Sequence, residues 1–327
     1  MSLKNVVIVL FSTFLIYGMS HAQEAVSGMD NNQETPLYRI SSRFPVNVSK
    51  KYIFTEHTKI KRKFSNGKTQ DFSRELTYHF SLRAPDPLSK DGFQNVEVSV
   101  DSIEYKFTDA DTTIYFNDQR DDLRPPKLED YQIKVVPLGL NFSYTLSPYY
   151  NVAKVGGDML IQKRDYVSNP KTAPSDELHK STWVNGLQDE SLMNYFDVVK
   201  GFPPMNKVGI DSTWSKAIPV EIEGSRFIDS VTFKLDKFNI KQFSISGNSE
   251  KMSLQHGLVR IFGLSQLIDF ENVTGKSQYT VKMHPKGTVD EFTANYQLEM
   301  TYQVANDYIQ QEIECNRKWY LEKLYNW

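Results

Sequence analysis

Apolar and polar residues alternate with a period of two through most of the chain. From Gln70 to Leu82, the residues Phe72, Leu76, Tyr78, Phe80 and Leu82 fall on one parity, and Ser73, Glu75, Thr77, His79 and Ser81 on the other. That is the pattern of an antiparallel strand with one face buried and one face wet. Ser65-Asn66-Gly67-Lys68 separates this run from Tyr52 to Phe64, and Asn-Gly between two such runs predicts a hairpin. Val96, Val98 and Val100 share one phase, whereas Ile103, Tyr105 and Phe107 take the other, which predicts a bulge at Asp101-Ser102. Alternation continues in Tyr131-Ile133-Val135 and in Leu140 to Leu146. Asn151 to Ile161 reads as two short strands around Gly156-Gly157. The pattern resumes at Gly209 to Trp214 and runs through Val231 to Ile245, Tyr279 to Met283, the turn Pro285-Lys286-Gly287, and Tyr296 to Val304. Ile309, Ile313, Cys315 and Trp319 share a phase in a last strand, although a helical spacing also fits part of it.

One stretch breaks the period, between Pro174 and Pro204. It reads as two short helices. Ser175 caps the first, with Asp176 and Glu177 at the positive end of its dipole, and Gly186 is placed to end it. Asp189 caps the second. Leu192, Phe196 and Val199 recur at helical spacing, Tyr195 flanks them, and Gly201, Pro203 and Pro204 stop it. The fold expected is mainly β, an antiparallel, strongly curved or open-barrel-like sheet with a helical insertion near residues 175–200. The β halves, 51–170 and 205–327, lie on either side.

Residues 1–22 read as a signal peptide. Lys4 supplies the positive start, Val6 to Ile16 is nearly all apolar, and Ser20-His21-Ala22 precedes Gln23 as a cleavage site. An apolar run of about 15 residues is short for a membrane span, which needs about 20. Residues 23–50 read as a flexible lead-in. The expected place is the periplasm or cell envelope, with no Cys after the cleavage point to carry a lipid.

Composition narrows the classes. The formal charge is −2, and removing Lys4 with the leader leaves −3, so the chain lacks the basic excess of a nucleic-acid binder. Cys315 is the single cysteine, which rules out an intrachain disulfide and a Cys-based metal site; in an alternating strand it reads as a small buried hydrophobe. His57, His79, His179, His256 and His284 stand at no ligand spacing. No nucleophile elbow, zinc helix, phosphate loop or dinucleotide fingerprint occurs, so no catalytic residue, metal ligand or cofactor is expected. Asp109, Asp111, Asp118, Asp121 and Asp122 form an acidic loop, read as solvated rather than as a calcium site. Lys59, Lys61, Arg62 and Lys63 read as a basic strand edge, with contact to anionic lipid or glycan as the sharper alternative.

Asn151-Val152-Ala153-Lys154-Val155-Gly156-Gly157-Asp158, then Phe202-Pro203-Pro204, Gly209 to Trp214 and Val273-Thr274-Gly275 together resemble an uncharacterised family of exported β-rich proteins of Bacteroidetes, over residues 50–324. That resemblance implies the compartment and the β architecture and assigns no activity. The β–helix–β order is also similar to open barrels that carry lipoproteins or lipids across the envelope. The function expected is therefore a non-enzymatic envelope protein that binds an apolar or amphipathic ligand, or a partner protein, in a concave β surface. Leu192, Tyr195, Phe196 and Val199 are its candidate ligand or lid residues. An outer-membrane barrel, for which Trp319, Leu321, Tyr325 and Trp327 share a parity, and a hydrolase with an unrecognised carboxylate pair are the alternatives.

Overall fold

The computed structural model describes residues 36–322 apart from 121, 170, 172–176, 256–258, 261–266, 269 and 305–306. The leader, Ser175, Asp176, His256, Tyr325 and Trp327 lie outside the described residues.

The first half contributes β1 (Lys50–Phe64), β2 (Thr69–Arg83), β3 (Gln94–Asp109), β4 (Thr113–Asn117), α1 (Glu129–Val135), β5 (Asn141–Leu146) and β6 (Val152–Gly156). Three helices follow, α2 (Asp158–Ser168), α3 (Glu177–Gly186) and α4 (Asp189–Phe196). The second half comprises β7 (Thr213–Ile222), β8 (Ser225–Asn239), β9 (Gln242–Ser249), β10 (Met252–Leu254), β11 (Val259–Arg260), β12 (Leu267–Ile268), β13 (Phe270–Met283), β14 (Val289–Val304) and β15 (Asp307–Leu321).

Thirteen of these strands form one antiparallel sheet, in the order β10-β8-β9-β13-β14-β15-β1-β2-β3-β5-β6, with β7 on β8 and β4 on β3. β1 pairs with β15 along almost its whole length, so the two β halves are one sheet joined at its centre. The sheet is not closed. Its two ends, β6 and β7, nevertheless line the same cleft, so it curls until they face each other.

The alternating parity is the inner face. Phe54, Tyr78, Phe80, Tyr105, Phe292 and Trp319 are buried on it and pack as an aromatic core. The outer face is polar. Lys59 stands opposite Glu314 and Lys61 opposite Glu312, while Lys63 faces Gln310 and Arg62 turns to the inner face; the basic run lies at the centre of the sheet between β15 and β2, not on an edge. Asn66-Gly67 makes the expected hairpin, with Gly67 at φ +83°. The β3 bulge is also as expected, since His79 faces Ser102 and Phe80 faces Val100, which skips Asp101.

Four segments differ from the expectation. Tyr131-Ile133-Val135 lies in helix α1, not in a strand. Seven residues are too few to separate the two periods. Here Glu129 and Asp130 in the first turn and Lys134 in the last favour the helix dipole. The stretch Asn151–Ile161 is one strand followed by the start of α2. Gly157, at φ +126°, lets the chain turn where a Cβ would lie 3.0 Å from the Phe142 backbone. Gln188, not Asp189, is the N-cap of α4, and Asp189 instead pairs with Arg164 of α2 at 2.6 Å. Within the stretch expected to be a flexible lead-in, Tyr38 bridges to Val208, and Ile40 and Phe44 are buried.

Candidate functional site

Charged residues occupy core positions on the inner face. Glu56 of β1 lies directly across from Arg317 of β15, and its Oε2 accepts from Arg317 Nε at 2.8 Å. Its Oε1 accepts from Arg74 Nη2 of β2 at 2.7 Å. Arg74 also reaches Asp130 of α1 at 2.8 Å and Glu223 at 2.5 Å. Glu223-Gly224 is the two-residue turn between β7 and β8, with both residues at positive φ, so the hairpin aims its acid at the sheet centre. Lys134 of α1 donates to the Tyr195 hydroxyl at 2.7 Å, and Arg317 Nη1 donates to Asn194 Oδ1 at 2.8 Å. Three cations (Arg74, Arg317, Lys134) thus face three carboxylates (Glu56, Asp130, Glu223).

Burial would raise the Glu56 carboxyl, but the Arg317, Arg74 and Lys134 charges outweigh it and hold it far below the usual range. Glu223 is likewise held down against burial by Arg74 and Lys134. The Glu56 side chain has 0% exposure. A hydrolase needs its carboxylates open to substrate across a cleft; these are closed off and locked onto Arg74. The network ties α1, α4 and the β7–β8 turn onto the strands.

The described residues also form an open cleft of about 670 Å³ where the sheet ends approach. β6 forms one wall, β7 the other, and α4 the floor. Val152, Val155, Met193, Ile218, Val220 and Phe227 give it an apolar lining, with Lys200, Glu221 and Arg226 among its polar groups. The Asn194 side chain donates to the Glu221 carbonyl at 2.9 Å and accepts from the Glu221 N–H at 3.2 Å, as a neighbouring strand would. Glu221 therefore turns its peptide groups away from β8. In an antiparallel ladder alternate residues do so, which puts the Pro219 carbonyl and the Ala217 N–H and carbonyl on the same free edge.

Lys200 closes the end of α4. Its Nζ donates to the Met193 and Asn194 carbonyls at 2.5 and 2.9 Å and lies over the Trp319 ring. Burial pushes this amine down to about 7, against the pull of Asp197. Asp197 accepts from the Val199 and Lys200 N–H groups, and this local turn ends the helix at Phe196, before Val199.

The candidate lid residues come together under the cleft, facing the sheet. Leu192, Phe196 and Val199 are fully buried and Tyr195 nearly so. Phe196 packs on Tyr78, Phe80 and Phe142, and Tyr195 on Phe54 and Tyr78. Cys315 is buried, and desolvation pushes its thiol up to about 11. In the acidic loop, Asp118 accepts from the Ile103 N–H and Asp122 pairs with Arg120; Asp121 lies outside the described residues. No His, Cys, Asp or Glu group among the described residues has metal-holding geometry. Sequence reading missed the buried network. Its signal was there, because Glu56, Arg74 and Arg317 sit at the parity of apolar neighbours.

No protein-family model matches the chain, and no curated protein matches it. Among solved structures, a chain described by lipid–protein interactions in lipovitellin overlaps at 8% identity and TM-score 0.47, covering 86% of this chain and 26% of that one. This chain therefore spans about a quarter of its length. The Pseudomonas aeruginosa proteins OccK5 (OpdH) and OccK1 (OpdK) overlap at 7% and 8% identity with TM-scores 0.24 and 0.21. They cover 86% and 85% of this chain and all of theirs. Overlaps this loose say nothing of what this chain binds.

Proposed function

We propose that this chain is an exported, non-enzymatic protein of the cell envelope that binds an extended segment of a partner protein in the cleft between β6 and β7. The observation that carries the reading is the pair of strand edges facing one apolar-lined cleft, each with no strand partner on that side among the described residues. An extended backbone satisfies such edges, and the apolar walls take its alternate side chains. Asn194 already imitates that partner at Glu221.

A second reading keeps the cleft and changes the occupant to an apolar or amphipathic small molecule such as a lipid. The cleft volume and its largely apolar lining suit either. An outer-membrane barrel fits less well. Such a barrel needs an outward apolar band, whereas the central strands present Lys59, Lys61, Glu312, Glu314 and Lys318 outward.

Native mass spectrometry of protein purified from its own envelope tests this. A co-purifying polypeptide is expected, lost when Ala217→Arg or Val152→Arg fills the cleft and retained in Ile240→Arg, a control at a fully solvated turn. A bound mass of a few hundred daltons with the same dependence favours the second reading. Binding indifferent to both cleft substitutions rejects the site.

A further inference from the structure

Arg62 stands apart from the charge network. It lies on the inner face of β1, two residues before the hairpin to β2, with 0% exposure. Arg74 and Arg317, buried on the same face, each have carboxylates. Arg62 has none. Its Nε donates to Gln311 Oε1 at 2.6 Å, its Nη1 to Gln70 Oε1 at 3.3 Å, and its guanidinium carbon lies 5.0 Å from the Phe72 ring centre. Its hydrogen-bond acceptors are neutral, and desolvation, the largest influence on it, is opposed only by Tyr302 and the more distant Glu223 carboxylate, which makes no ion pair with it. Two buried donors beside it are also unfilled: Arg62 Nη2 and Gln311 Nε2 have no hydrogen-bond partner. The amide orientation is set by Arg62 Nε, which can only donate and so requires Gln311 Oε1; the same oxygen accepts from the Tyr302 hydroxyl at 2.8 Å.

An isolated buried cation costs several kcal/mol, and buried charges in proteins are paired. The unfilled donors belong to two side chains already joined by a hydrogen bond, and N–H donors of this kind hold carboxylates and halides. Gln70, half-buried at the rim, brings the site close to solvent.

We propose that Arg62 and Gln311 form a binding site for a small monovalent anion, either a halide or the carboxylate group of a larger molecule, at the β1–β15 end of the inner face. The anion completes the core, and stability depends on its concentration.

The full chain, Arg62→Met and Gln311→Glu would be melted in chloride and, separately, in acetate and laurate series. At about ten times the dissociation constant the wild type gains about 2–3 °C over both variants. A gain with chloride alone identifies a free halide. A gain with acetate, stronger with laurate, identifies the carboxylate of a larger molecule. Gln311→Glu supplies an internal carboxylate. It is expected to melt above the wild type at low salt and to lose the response, which keeps the test open if Arg62→Met fails to fold. Equal anion responses in wild type and Gln311→Glu, or a Gln311→Glu protein that melts below wild type at low salt, overturn the assignment.

Discussion

Replacing Glu56 with Gln would change the size of the side chain very little and its charge by one unit. Glu56 is the carboxylate shared by Arg74 and Arg317, and it lies at the centre of a set in which three cations meet three acids. The amide can accept from only one arginine, and it turns an N–H₂ group toward the other. The core is then left with one excess positive charge and no route to water, since Glu56, Arg74 and Arg317 are all buried. Breaking a buried pair in this way costs about 3–5 kcal/mol. With an unfolding entropy near 2.1 cal/mol/K per residue over roughly 290 residues, the expected loss is about 5–8 °C in Tm. Thermal unfolding followed by far-ultraviolet circular dichroism measures it. Adding Arg317→Met to Glu56→Gln removes the excess charge, so the double variant should lose less than the sum of the single losses. A Glu56→Gln protein that melts within about 1 °C of the wild type would refute the view that this network is charge-balanced and closed. The same groups set the acid limit. The folded Glu56 and Glu223 carboxyls are held below their unfolded values. Their stabilisation is complete above about pH 4.3 and is lost as pH falls further, by about 1.4 kcal/mol per pH unit per carboxyl.

Further outcomes follow from single residues. Lys200, with its amine pushed down to about 7, sheds its proton in the folded state before it does in the unfolded chain. Wild-type stability should therefore rise relative to Lys200→Met as pH goes from 7 to about 10, as paired melting curves would show. The Cys315 thiol, buried and raised to about 11, should not react with a disulfide reagent at pH 8 until denaturant is added; fast labelling of native protein would contradict its placement. Gly247 has the Phe233 ring where a Cβ would stand, 2.6 Å away. Gly247→Ala should cost about 1–3 kcal/mol in a denaturant titration, because Phe233 is fully buried and has no free volume to move into.

The long strands, the hairpin at Asn66-Gly67 and the bulge at Asp101 were legible in the sequence, whereas β4 and the start of α2 were not. Each legible feature rests on a period of two or a local turn preference that neighbouring residues carry alone. The sequence also carried the apolar stripe of α4. Short helices such as α1 were not legible, because seven residues satisfy a strand period and a helix period equally. The inner charges were half legible: Glu56, Arg62, Arg74 and Arg317 stand out as polar residues at apolar parity. What makes three of them stable and leaves Arg62 without an ion-pair partner among the described residues is the set of neighbours, and those come from far along the chain. Glu56 meets Arg317 because β1 pairs with β15, and Arg74 meets Glu223 because the curled sheet brings the β7–β8 turn over β2. The same curl sets β6 facing β7 and makes the cleft. Parity is a property of adjacent residues; counter-charges and facing edges are properties of closure, which only the tertiary structure decides.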